Sequence, residues 1–168
     1  MNAIAALGLP AAGPADAVSE ADYANVVFHH GAERPDWSLI AAKMAELAMP
    51  NRKDVDAERD RRMALFTFAG VVYDFDDKSR ALIDKARVSA TSYIFVHGPQ
   101  PGNLRWADAS ADFGWIAADN TFHTMDAETC VSFGTAAAAW EGRLILAASA
   151  LKNASPIPLT YADDAWWP

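Results

Sequence analysis

Four histidines, one cysteine and a run of aspartates are the side chains of this 168-residue chain with the most chemistry to offer. His29 and His30 are adjacent. On an extended chain their rings point to opposite faces, so they chelate poorly as a pair. His97 and His123 stand apart in sequence, whereas a metal site needs several ligands converging. Polar loop or surface histidines are therefore expected, with no metal. Cys130 is the only cysteine, which excludes an intramolecular disulfide and a cysteine-based zinc site. It reads as a small buried apolar residue. Asp74, Asp76 and Asp77 lack the Gly and Asn spacing of a calcium loop and suit the start of a helix. There is no Gly-x-Ser-x-Gly elbow and no glycine-rich phosphate loop. No catalytic residue and no cofactor is assigned.

The tryptophans offer a different chemistry. Trp106 and Trp115 flank an Asp-bearing loop, ADASADFG. An exposed indole beside a carboxylate can stack on a sugar, which would make a host surface glycan a partner. Alternatively Trp115 opens a strand and packs inward. Trp37 and Trp140 fall on helical stripes and are expected in the core.

Charge excludes most of the remaining classes. The net charge is −8 and the pI about 4.8. Residues 1–62 hold seven basic against ten acidic side chains, and residues 63–168 seven against twelve, so no basic half is concealed. Binding by phosphate neutralisation needs clustered Lys and Arg. The one basic cluster, Arg59, Arg61 and Arg62, is interleaved with Asp54, Asp56, Glu58 and Asp60, which reads as a helix face paired within itself. No nucleic-acid partner is expected. No apolar run reaches the ~18–20 residues of a membrane span, so no membrane insertion is expected. The first residues have no Lys or Arg before a short apolar stretch, a poor secretory signal, so synthesis in a reducing cytoplasm is expected.

These side chains have to be positioned by a modest set of elements. Residues 1–22, rich in Ala, Gly and Pro, read as an extended arm, either flexible or ordered against a partner. Residues 23–63 read as a strand and helical connector. Tyr23–Phe28 is the strand, and a helix follows from Pro35 to about Met49. Trp37, Ile40, Ala41, Met44, Leu47 and Ala48 form its stripe, and Pro50 stops it. The charged stretch 51–63 reads as a second, exposed helix. From Ala64 the character changes. LFTF and VVYDF around Ala69-Gly70 predict a hairpin, with Phe66 and Phe68 on one face. Asp76 or Asp77 opens a helix whose buried face is Leu82, Ile83, Ala86, Ala90 and Tyr93, ended by Gly98 and Pro99. A second hairpin turns at Asp119-Asn120. Thr124 then caps a long helix from about Met125 to Lys152.

That last helix has the clearest periodicity. Cys130, Phe133, Ala137, Trp140, Leu144, Ala147 and Leu151 alternate three and four apart. The seam predicts either a helix laid across a small four-stranded sheet or a self-association seam. Gly134 and Gly142 favour close packing in either case. Residues 155–168 read as an extended aromatic tail. Tyr161, Trp166 and Trp167 either fold back on the core or dock on a neighbour. With Trp106, Trp140 and Leu144 they are the candidate interaction residues.

The fold class expected is α+β. Two β-hairpins are each followed by a helix (ββαββα), preceded by an arm and one or two helices. The stretches FTFAGVVYDFDDKSRALI, WIAADNTFHTMDAET and ALKNA resemble a small domain of tailed-bacteriophage and prophage tail-fibre, tail-tip and tail-fibre-assembly proteins. The positions carrying the resemblance include Phe66, Phe68, Gly70, Asp77, Ser79, Ile83, Trp115, Asp119, Asn120 and Thr124. It spans Leu65 to about Ala154 and brings no catalytic residues. It implies a virion protein of the tail tip, baseplate or tail fibre, made in a bacterial cytoplasm. A structural or attachment role is implied, with other virion proteins and copies of itself as partners. A fibre-assembly chaperone, a capsid decoration protein and an enzyme such as a small glycan hydrolase are the rival roles, the last needing paired Asp or Glu at a cleft, for which the sequence shows no signature.

Overall fold

The computed structural model describes residues 3–8, 11–12, 19–29 and 33–168. The chain is a mixed α+β protein that divides into two compact units, Met1–Asn51 and Arg52–Pro168.

In the first unit the expected arm is structured where it is described. Ala3–Ala6 forms a helical turn, α1, with Ile4 buried. Ala11–Ala12 (β1) pairs antiparallel with Val27–Phe28 (β2). The strand expected from Tyr23 shrinks to those two residues for a local reason. The Ser19 hydroxyl accepts from the Asp22 amide at 3.2 Å and nucleates α2, Glu20–Tyr23, which draws Tyr23 into a helix. Arg34 then donates to the carbonyls of Tyr23, Ala24 and Val26 at 2.7–3.2 Å. The helix expected near Pro35 is α3, Trp37–Ala48. Ala3, Ile4, Tyr23, Val26 and Ile40 make this unit's core.

The second unit begins at Arg52, not at Ala64 as the change of composition suggested. The charged helix α4 (Arg52–Arg62) buries Val55 completely and is followed by buried Met63. One apolar side chain at the right phase anchors a helix whose other faces are solvated. The expected pairing is present: Arg59 bridges Asp56 and Asp60, while Arg61 and Arg62 share Glu58. Strands β3 (Leu65–Phe68) and β4 (Val71–Asp74) form the first hairpin, with Phe66 opposite Tyr73 and Phe68 opposite Val71. Its turn places Ala69 at φ 50° and Gly70 at φ 80°. Two left-handed residues match the twist of a tight hairpin.

Helix α5 runs from Asp77 to His97 and is capped by Asp76, whose carboxylate accepts from the Ser79 amide at 2.7 Å. The second hairpin pairs β5 (Gly114–Ile116) with β6 (Phe122–Thr124). Helix α6 spans Ala127–Asn153. Its cap is Asp126 rather than Thr124, because Thr124 still belongs to β6 and Asp126 accepts from the Thr129 amide at 2.8 Å. The two hairpins do not merge into a four-stranded sheet. The amide of Ala118, in the second turn, donates to the Val72 carbonyl at 2.9 Å and links them.

The seam of α6 faces the chain's own core. Cys130, Phe133, Ala137, Leu144 and Leu151 are buried, with Trp140 and Ala147 half-buried. Phe133 meets rings from both hairpins: Phe66, Phe68, Tyr73 and Trp115 lie 4.9–5.7 Å away, centroid to centroid. Helices α5 and α6 are antiparallel neighbours. Arg87 lies against Gly134, and Arg80, earlier in α5, reaches Glu141, later in α6, at 3.5 Å.

The two glycines of α6 differ sharply. A Cβ on Gly134 would stand 2.6 Å from Cβ of Arg87, whereas one on Gly142 would meet nothing within 4 Å. The close packing expected of both holds for Gly134 alone. Gly134→Ala must push the helices apart, at a cost of about 1–3 kcal/mol that outweighs the propensity gain. Gly142→Ala should instead stabilise by up to about 1 kcal/mol. Denaturant midpoints of the two variants, moving in opposite directions, check this.

Candidate interaction surface

The C-terminal tail is not an open arm. Trp167 is 7% exposed and Ile157 9%, and half-buried Tyr161 packs beside them. The Trp167 indole donates to the Tyr161 carbonyl at 2.8 Å. Arg62 closes the arrangement. Its guanidinium donates to the Ala162 carbonyl at 2.8 Å and to Asp164 at 2.7 Å, and lies 5.3 Å from the Trp167 ring. Of the two readings of the tail, folding back on the core is the one realised within this chain. Trp166, 45% exposed, is the tail indole that faces outward.

The remaining candidates divide in the same way. Leu144 is fully buried, so it cannot serve an outer seam. Trp106 is 6% exposed; its indole donates to the Met125 carbonyl at 3.1 Å and packs on Phe113 at 4.6 Å. A ring so enclosed is no sugar platform. Trp115 packs inward on Phe133. The loop carboxylates are occupied locally: Asp108 accepts from Ser110, and Asp112 pairs with Arg105 at 3.0 Å. Trp140 is half-buried under Arg143. Its Nε1 is buried without a hydrogen-bond partner among the described residues.

The groups with possible chemistry stay dispersed. His97 stacks on Tyr93, and His123 shares a hydrogen bond with Thr121 at 2.8 Å. His30 lies outside the described residues. Among the described residues no three His, Cys, Asp or Glu side chains gather as a metal site. Burial raises the Cys130 thiol to about 11, which keeps it protonated and inert. A groove of about 920 Å³ between α4, α6 and the start of α5 is charged, with Arg59, Asp60, Asp77, Lys78, Arg80 and Glu141 on its walls. Its arginines are already engaged, Arg59 by Asp60 and Arg80 by Asp77 and Glu141. Among the described residues no helix is long and apolar enough to cross a membrane.

The long loop after α5 is held by the start of α6. The Gln100 amide donates to Glu128 at 2.6 Å and the Gly102 amide to Asp126 at 2.7 Å. Hydrogen bonds from Thr129 first, and from the Gly102 amide next, hold the Asp126 carboxyl below the ordinary aspartate value of 3.8. A depressed folded pKa contributes stability that is present above that value and lost as pH falls through the folded one. Stability should therefore drop on acidification below pH ~4, and Asp126→Asn should flatten that part of the profile. Thermal melts of both proteins across the acid range measure it.

The surface also carries large apolar side chains, which sequence patterning had missed. In the second unit Phe95 is 90% exposed, Val96, Leu146 and Leu159 70%, Ile116 61% and Phe122 56%. Phe95, Val96 and Val88 lie on the side of α5 opposite buried Ile83 and Ala90. Ile116 and Phe122 are cross-strand partners on the outer face of the second hairpin. The signal was available: Ala81, Val88 and Phe95 are seven apart, out of phase with Ile83 and Ala90.

No curated protein and no solved structure matches the chain. A family model described as "Domain of unknown function (DUF4376)" matches residues 46–165, which takes in α4, both hairpins, α5, α6 and most of the folded-back tail, and the chain belongs to that family.

Proposed function

We propose that this chain is a structural or attachment protein of a bacteriophage virion, in the tail tip, baseplate or tail fibre, acting by assembly with other virion proteins and with copies of itself. The resemblance of residues 65–154 to phage tail-associated domains supplies the setting. The ββαββα order of hairpins and helices is the scheme we assign to that domain. The observation that carries an adhesive role is the outward apolar surface of the second unit, above all Phe95, 90% exposed on a regular helix. Large apolar side chains grouped on an outer face mark association surfaces. A net charge of −8 suits contact with protein rather than with packaged nucleic acid.

Mass spectrometry of purified particles, combined with antibody labelling in the electron microscope, tests the role. Presence at the tail supports it. Labelling at the head would make the chain a decoration protein, and absence from particles would make it an assembly factor; either result overturns the tail reading.

A further inference from the structure

We infer that the outward face of α5 is a weak, isologous self-association surface on which a second copy of this chain docks antiparallel, with Val88 at the two-fold axis. The inference rests on the assembly role above and gives it a face, a symmetry and a strength.

The face is a second seam on the helix. Ala81, Lys85, Val88, Ser92 and Phe95 are spaced four, three, four and three, and all are exposed. Leu82, expected on the buried face of α5, is instead 45% exposed, and with Val96, 70% exposed, it flanks them. Two of the polar residues of its second half bond to their own helix. The Thr91 hydroxyl donates to the Arg87 carbonyl at 2.8 Å, and the Ser92 hydroxyl to the Val88 carbonyl at 3.0 Å. Covering this half therefore leaves neither hydroxyl donor unmet, which removes the usual penalty for burying polar groups.

Charge selects the orientation. The first half of α5 carries Asp77, Lys78, Arg80, Asp84, Lys85 and Arg87, two more basic than acidic side chains, while Val88 to Val96 carries no charge. A parallel pair would set the lysines side by side. An antiparallel pair places each lysine-bearing half against the uncharged half of its neighbour. Side-chain size agrees. With Val88 on the axis, Phe95 of one copy faces Ala81 of the other, so the largest knob meets the smallest position. Two-fold pairing of identical surfaces is the commonest oligomer symmetry.

Area sets the strength. The exposed parts of Leu82, Val88, Phe95 and Val96 come to on the order of 450 Å² per copy, or about 900 Å² for a pair, short of the ~1,200–2,000 Å² of a stable complex. A dissociation constant of roughly 10 µM to 1 mM is expected, enough to matter where a particle holds copies together.

Sedimentation velocity of the full chain from about 10 µM to about 1 mM should show a reversible monomer–dimer equilibrium. Phe95→Asp should weaken it at least ~10-fold while leaving the thermal melt intact. Oxidation should cross-link Val88→Cys into dimers. It should not cross-link Lys78→Cys, whose copies would lie ~30 Å apart at ~1.5 Å per residue. Native Cys130 is buried and contributes no background. A monomer at the highest concentration, a dimer indifferent to Phe95→Asp, or equal cross-linking at both positions would overturn the inference. Absence from particles would overturn the virion role and leave the dimer standing, so the two failures are distinguishable.

Discussion

Phe133→Ala should cost the folded chain roughly 3–5 kcal/mol, a large share of the ~5–15 kcal/mol that holds a domain of this kind together. The side chain has no solvent exposure. Its ring is the common neighbour of Phe66, Phe68, Tyr73 and Trp115, so removing it strips contacts from both hairpins at once. Aromatic pairs of this geometry add about 0.5–1.5 kcal/mol beyond burial. The cavity cannot close cheaply. Each hairpin is short and its register is set by a tight turn, so a strand cannot slide inward without losing its pairing. Urea unfolding followed by tryptophan fluorescence should show a lower midpoint with an unchanged slope. Phe133→Leu should recover much of the loss. A shift below about 1 kcal/mol would mean that the hairpins do not depend on α6 for their core.

Trp167→Ala should cost about 3 kcal/mol, although the residue is next to last in the chain. Terminal residues usually contribute little because they fray. Here the indole is buried, hydrogen-bonded to Tyr161, and covered by Arg62. Its loss removes apolar burial and leaves the Tyr161 carbonyl without that donor. The neighbouring Trp166→Ala should stay within about 0.5 kcal/mol, since that ring is half exposed. Arg62→Ala should fall between them, because it frees the tail without deleting the ring. Differential scanning calorimetry of the three variants gives the order. Equal melting temperatures for Trp166→Ala and Trp167→Ala would show that the tail is an open arm in solution. The contrast bears on function, since an indole that holds the fold together is not free to grip a neighbour.

Much of this architecture was legible one element at a time. Both hairpin turns, the Asp76 cap and the paired charges of α4 follow from signals a few residues long. Others slipped for reasons that can be named. Thr124 and Asp126 are both good caps, and the strand pairing of Thr124 with Gly114 decides between them. Val55 carries α4 onto the core, yet a lone apolar residue in a charged run forms no pattern to detect. The outward stripe of α5 was hidden by the inward one, because its lysines and hydroxyls dilute the apolar signal.

From the residues alone come the α+β class, the two turns and the acidic balance, all governed by backbone sterics, side-chain periodicity and counting. Tertiary structure alone decided what each apolar face touches. A stripe of Cys130, Phe133, Leu144 and Leu151 has the same spacing whether it packs on its own chain or on another, since periodicity specifies a face and not its occupant. Only closure of the chain, which seats Phe133 among four rings and Trp167 under Arg62, turned the inner seam into a core and left Phe95 outside.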